Sequence, residues 1–259
     1  MTRPAARAQG CLTRLAPTTS MMLPALLLLA LPAAAATAAP QPRRQTQECP
    51  PVATQGDFNL TEWVRASWFI QEQQVNDFQQ PEDLFCVVAT YELEGRTVPL
   101  WDGTVVSVYN YANRGAVNGP GSDPEMEPLC GRLIDPSEPS SSIINAPCFL
   151  PNLAAGPYWV VAAGPSPERY TWGIISAGQP TVPASDGSGC STSEEGVNDS
   201  GFWLISRSAT LSQAELEDIR TVARMNGLTT SRLRTVLQVD PATGEACRYE
   251  GARLKLDEP

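Results

Sequence analysis

The sequence predicts an all-β domain of antiparallel strands followed by a single late helix. First, from Trp63 to Arg207, strand-length runs of β-branched and aromatic residues alternate with turns rich in Gly, Pro and Asp. Second, no strand–helix–strand rhythm interrupts these runs, which removes the parallel α/β architectures. Third, the one clear helical segment follows the last run and opens on Ser212-Gln213-Ala214-Glu215.

The N-terminal stretch reads as an address. Residues 1–47 contain no Asp or Glu, and Arg3, Arg7 and Arg14 precede an apolar run from Met22 to Leu31. Ala-rich sequence then continues to Ala39. A basic start, a short apolar core and small residues form an export signal, with cleavage expected near Ala38 or Ala39. The run is too short for a permanent span, and Pro24 and Pro32 interrupt it. Secretion is the first expectation. A two-part plastid presequence ending in a thylakoid lumen is the alternative, because the long leading stretch is free of acids and holds Arg, Ser and Thr.

The expected division is 1–39 as signal, 40–250 as one folded domain and 251–259 as a tail. Removing residues 1–39 leaves 220 residues, enough for a single domain. It also removes three of the 18 basic residues and none of the 28 acids, for a net charge of −13. An acidic surface without basic clusters argues against nucleic acid and anionic membranes as partners.

Of seven cysteines, Cys11 falls in the expected signal. The remaining six, Cys49, Cys86, Cys130, Cys148, Cys190 and Cys247, are even in number, widely spaced and downstream of an export signal. They predict three disulfides whose connectivity the spacing leaves open. None has close CxxC spacing, and the chain contains no histidine.

The strands follow in order. Trp68–Gln73, Phe85–Tyr91 and Thr104–Tyr111 are rich in β-branched and aromatic residues, and the turn Asp102-Gly103 precedes the third. Residues 112–128 carry repeated Gly and Pro and read as loop. Weaker strands are expected at Leu129–Ile134 and Ser142–Phe149, with Pro136 and Pro139 between them. Tyr158–Ala163 and Tyr170–Ser176 flank the link Gly164–Arg169. A Gly/Ser/Pro-rich insertion at 178–201 precedes the last strand, Phe202–Arg207.

The helix is specified locally. Ser212 and Glu215 form a capping box, and Leu211 and Leu216 stand at hydrophobic-staple positions. Leu216, Ile219, Val222 and Ala223 make one apolar stripe, and Asn226-Gly227 end it. Acidic Glu215, Glu217 and Asp218 favour packing against the sheet over lying on a membrane.

Chemistry-bearing patterns are few. Without histidine, Ser–His–Asp and Cys–His centres and histidine-ligated metals are excluded. No GxSxG, P-loop or GxGxxG motif occurs at a strand-to-helix turn, and Glu194-Glu195 lie in loop-like sequence as solvated charge. No catalytic residue, metal or cofactor is assigned, and a binder is expected rather than an enzyme. Asn59 and Asn198 open glycosylation sequons in expected loops.

A tryptophan on the first strand and an arginine ending the last strand before a helix, with Tyr158-Trp159, Tyr170–Ser176 and the cysteines, resemble the lipocalin family. The similarity is to its apolipoprotein D-like, bacterial and plant branch and covers about Cys49 to Cys247. It implies an eight-stranded up-and-down antiparallel barrel with one α-helix packed outside. Such a barrel is a cup for one small hydrophobic molecule, whether lipid, sterol, retinoid or pigment. Trp68 and Arg207 would stack across its closed end, although Ala66-Ser67-Trp68 stands where the family has Gly-x-Trp. The resemblance implies Cys49–Cys190 and Cys86–Cys247, leaving Cys130–Cys148. Residues matching Trp203 and Tyr91 line the cavity in that family. Strand parity places Ile205 with Trp203, and Ala89 and Val87 with Tyr91. Tyr109, Trp159 and Trp172 are further candidates of unresolved parity, and 112–128 and 178–201 are the expected rim. Two other functions fit the fold: an enzyme resembling violaxanthin de-epoxidase, whose cysteine-rich and glutamate-rich flanking domains this chain lacks, or a protein-binding barrel.

Overall fold

The computed structural model describes residues 48–98, 103–133, 143–151, 154–196 and 198–257. The expected signal 1–39, Asp102, the strand ends Ile134 and Ser142, the prolines between them and the last two residues lie outside these.

A short helix α1 (Leu60–Trp63) leads into β1 (Trp68–Gln74). Then follow β2 (Phe85–Leu93), β3 (Val105–Asn113), β4 (Leu129–Leu133), β5 (Ile143–Ala146), β6 (Gly156–Ser166) and β7 (Arg169–Ser176). Each strand pairs antiparallel with the next. The insertion at 178–201 holds a two-stranded ribbon, β8 (Val182–Pro183) with β9 (Cys190–Ser191), where sequence reading expected only loop. After it, β10 (Phe202–Ser206) pairs with both β7 and β1 and closes an eight-stranded up-and-down barrel. Closure leaves no free edge among the eight.

Helix α2 (Gln213–Met225) opens as its sequence dictates. Ser212 Oγ accepts from Glu215 N–H at 3.2 Å, and Glu215 accepts from Ser212 N–H at 2.7 Å. Its face Leu216, Ile219 and Ala223 packs outside the barrel on Val161, Ile174, Phe202 and Leu204. Arg220 reaches the buried Glu72 of β1 at 2.9 Å, so one ion pair fixes the helix's rotation on the barrel.

The strand that sequence reading missed is β11 (Leu233–Thr235), which pairs with Glu72–Gln74 of β1. Strands β1 and β2 share only the pairs Trp68 with Ala89 and Phe69 with Val88. Beyond them the strands part, and Gln238 Nε2 bridges the gap by donating to Ile70 O at 2.8 Å and Val87 O at 2.9 Å. Three residues with little alternation give no strand signal, because this pairing depends on the barrel being present.

Two further segments differ from expectation. The β6–β7 ladder extends to Ser166 and Arg169, so the link is Pro167-Glu168 rather than Gly164–Arg169. A register irregularity at Gly164 and Pro165 accommodates the proline, which has no N–H to give the ladder. The expected tail is bound to the domain: Ser67 N–H donates to Lys255 O at 2.8 Å, and Lys255 Nζ donates to Val64 O and Tyr91 O.

Disulfides join Cys49–Cys190 and Cys86–Cys247, the two pairs the resemblance implies, and Cys130–Cys148, the pair left over. The first two span 141 and 161 residues, and the third spans 18. Chain-entropy stabilisation grows with the logarithm of loop length. Replacing both cysteines of Cys86–Cys247 by serine is therefore expected to cost about 2 kcal/mol more than the same change at Cys130–Cys148. Denaturant titration under non-reducing conditions measures both, and equal losses contradict the loop-length account.

Candidate ligand-binding site

The barrel encloses a cavity of about 760 Å³ open at one end, within the range that holds a single small ligand. Strand alternation builds its wall. On β2, Val87, Ala89 and Tyr91 point inward while Cys86 and Val88 pack outside. On β10, Trp203 and Ile205 point inward while Phe202 and Leu204 meet α2. Ile70, Val108, Tyr158 and Ile175 complete the apolar wall. The structure thus brings Trp203, Ile205, Tyr91, Ala89 and Val87 to one cavity.

It sends the other three candidates elsewhere. Trp172 packs on the outer face with α2, because Gly173 and Ile175 take the inward positions of β7. Tyr109 belongs to an outer cluster with Cys86 and Tyr111. Its hydroxyl donates to Asp123 O at 3.2 Å, and Arg253 stacks on its ring at 4.3 Å. Trp159 alternates with the inward Tyr158 and Val160 and does not line the cavity. A bulge between Val160 and Ala162 then turns both Val161 and Ala162 outward, so simple alternation fails along β6.

The closed end is built on Arg207. Its Cζ lies 3.5 Å from the centroid of the Trp68 ring. Its Nη2 donates to Glu62 O at 2.8 Å and Trp63 O at 3.0 Å, its Nη1 to Ala66 O, and its Nε to Tyr170 O at 3.4 Å. Five rigid donors suit this ring of carbonyls at the end of α1. Burial, with Arg65 nearby, pushes the guanidinium down to about 9, which leaves it cationic at neutral pH. Ala66, preceding Trp68 by two residues, is not among the described residues at positive φ, so its backbone has no need of glycine.

Above Trp68 the aromatic layers continue into the cavity. Trp63 lies 4.6 Å from Trp68 and 6.4 Å from Tyr91. Gly173 makes room for it: a Cβ there would sit 2.8 Å from the Trp63 ring. At the cavity floor the Tyr91 and Tyr158 hydroxyls are 2.9 Å apart. Burial pushes Tyr91 up to about 12, and burial with the neighbouring Tyr91 pushes Tyr158 well above the usual range. The Trp63 indole N–H lies near the Tyr158 hydroxyl yet makes no hydrogen bond. Gln73, paired on the ladder with inward-facing Trp203, is fully buried, and neither polar atom of its amide has a partner.

The rim comes from several loops. Asn113, Arg114 and Pro120–Ser122 represent the segment 112–128, and Asn198–Ser200 represent 178–201. The latter segment is tied down, because Gln74 Nε2 donates to Thr192 O at 3.0 Å and Cys190 is disulfide-bonded. Asn198 is exposed at the mouth. Asn59 is not in free loop: it caps α1, accepting from Glu62 N–H at 3.2 Å and donating to Pro167 O at 2.9 Å. Sequence reading does not single out the lining residue Tyr158, or the fully buried Trp63 and Gln73. Tyr158 was legible as the alternate neighbour of Val160, whereas Trp63 and Gln73 owe their positions to a helix turn and a bulge in β1.

Among solved structures the chain is similar to lobster apocrustacyanin A1, at 14% identity over 80% of this chain and 97% of that one, with a TM-score of 0.43. It is similar to insecticyanin from the tobacco hornworm Manduca sexta at 17% identity, over 76% and 89%, with a TM-score of 0.45. Per a 4 from cockroaches is 15% identical over 73% and 94%, with a TM-score of 0.43. No protein-family model matches the chain, and no curated protein does.

Two outcomes follow from this geometry. Arg207→Lys loses both the planar stack and most of the carbonyl hydrogen bonds, and is expected to cost about 2–3 kcal/mol in denaturant titration. A loss within error of zero contradicts a structural role for the stack. For Tyr91, the folded state keeps its proton where the unfolded chain ionises, so its contribution is complete below pH 10 and is lost as pH rises through about 12. The stability difference between wild type and Tyr91→Phe should therefore shift against wild type across that window, and a constant difference contradicts the burial of the hydroxyl.

Proposed function

We propose that this chain is an exported lipocalin-type carrier, similar to the apolipoprotein D-like branch, that holds one small hydrophobic molecule in its barrel. The observation that carries this reading is the cavity of about 760 Å³, walled by apolar strand residues, sealed beneath by Arg207 and Trp68 and open above. A barrel filled by its own side chains leaves no such volume. Trp203, Ile205, Tyr91, Ala89 and Val87 act as contact surface, with the two aromatic rings offering large flat area. The rim segments 112–128 and 178–201 set which molecules enter.

Export with loss of residues 1–39 accounts for the three disulfides, which form in oxidising compartments. Asn198, an exposed residue among those lining the mouth, is the sequon assigned to carry a glycan after export. The role assigned is binding, carried by the apolar wall that the described residues build.

Native mass spectrometry of the protein purified from its own source tests the reading. A discrete added mass of a few hundred daltons is expected. Trp203→Ala should weaken its retention about tenfold while the circular dichroism spectrum is unchanged. A protein that carries nothing, and whose tryptophan emission no lipid, sterol, retinoid or pigment perturbs, contradicts the proposal.

A further inference from the structure

Among the described residues, the polar groups at the cavity floor are uncharged, and this restricts what the cup accepts. The Tyr91 and Tyr158 hydroxyls hold each other at 2.9 Å, with the partnerless indole N–H of Trp63 beside them. The two cations nearest the floor are turned away from it. Arg207 lies behind Trp68 and gives its N–H groups to the carbonyls of Glu62, Trp63, Ala66 and Tyr170. Lys255 gives its ammonium to the carbonyls of Val64 and Tyr91. Glu62, at the closed end, is engaged by Arg65 at 2.8 Å and by Tyr170 N–H at 3.0 Å. At the mouth, Arg114 pairs with Glu82 at 3.1 Å, while Asp199 stands among the lining residues.

From this arrangement, and resting on the carrier reading above, we propose that the cup selects neutral ligands. The favoured class is an extended apolar molecule ending in a hydroxyl or carbonyl oxygen, against the carboxylate of the same carbon skeleton. A hydroxyl or carbonyl reaching the floor pairs with the two phenols, both of which line the cavity and donate or accept as required. An ionised carboxylate at the floor would lose its water in exchange for neutral donors alone, because Arg114 stands at the mouth and the Arg207 guanidinium, although its charge is felt by both phenols, gives its N–H groups to carbonyls behind Trp68. Desolvation of a full charge outweighs such hydrogen bonds. The net charge of −13 left after export further disfavours an anion approaching the mouth.

Two chain-matched pairs test this on the full disulfide-bonded protein: all-trans retinol against all-trans retinoic acid, and octadecanol against stearate. Binding is followed by quenching of tryptophan emission. At pH 8 each alcohol is expected to bind at least about tenfold more tightly than its acid. The gap should narrow as pH falls toward the acids' own pKa, because protonation makes them neutral, while alcohol affinity stays flat. Tyr158→Phe should weaken alcohol binding about fivefold and leave the acids unchanged, and Tyr91→Phe serves as a second variant should Tyr158→Phe fold poorly. Acids bound as tightly as alcohols at pH 8, or a tyrosine substitution that shifts both equally, overturns the selectivity and leaves the carrier reading standing. Failure of all four compounds to bind overturns the carrier reading and the selectivity with it.

Discussion

The barrel depends on one buried cation. Arg207 directly follows β10, lies against the ring of Trp68 at the start of β1, and gathers carbonyls from α1, the turn after it and β7. Those strands are the first and last of the ring, so the guanidinium sits where closure is decided. A closed barrel satisfies every edge, and here the seam is held by side chain as well as ladder. A guanidinium fits because its charge never leaves at neutral pH and its flat fork both stacks and donates in several directions. The C-terminal segment reinforces the same end, with Lys255 on Val64 and Tyr91 and Asp257 on Arg65.

With one end sealed by aromatic layers, the rest of the interior is free to be a container. Trp63 stands on Trp68 and meets Tyr91, so the floor of the cavity is the upper surface of the closing device. The same stack therefore closes the barrel below and underlies the cavity floor above. Outside the wall, α2 covers β7 and β10 with Leu216, Ile219 and Ala223, and its Arg220 satisfies Glu72, which a bulge in β1 has turned outward. Irregularities in β1 and β6 thus decide which polar and apolar residues each face receives.

Much of this was legible in the residues. The capping box at Ser212 specifies α2 through local hydrogen bonds alone, and β2 and β10 alternate cleanly enough that Tyr91, Ala89, Val87, Trp203 and Ile205 fall on one face. Tyr109, Trp159 and Trp172 were large aromatics without a parity, and all three belong outside. Their rings gave no hint of direction, because an aromatic side chain buries equally well against an outer helix, a loop or a cavity.

What the sequence by itself determined are features set by neighbours along the chain: strand-forming runs, the helix and its cap, the even set of cysteines, and the absence of histidine chemistry. Only the tertiary structure decided the rest. The pairing of β11 with β1, the bridging amide of Gln238, the outward turn of Val161 and Ala162, and the meeting of Trp63 with the Tyr91–Tyr158 pair all join residues far apart in sequence. Each exists only once the ring has closed, since a bulge or a bridging side chain is stabilised by partners that the local sequence does not contain.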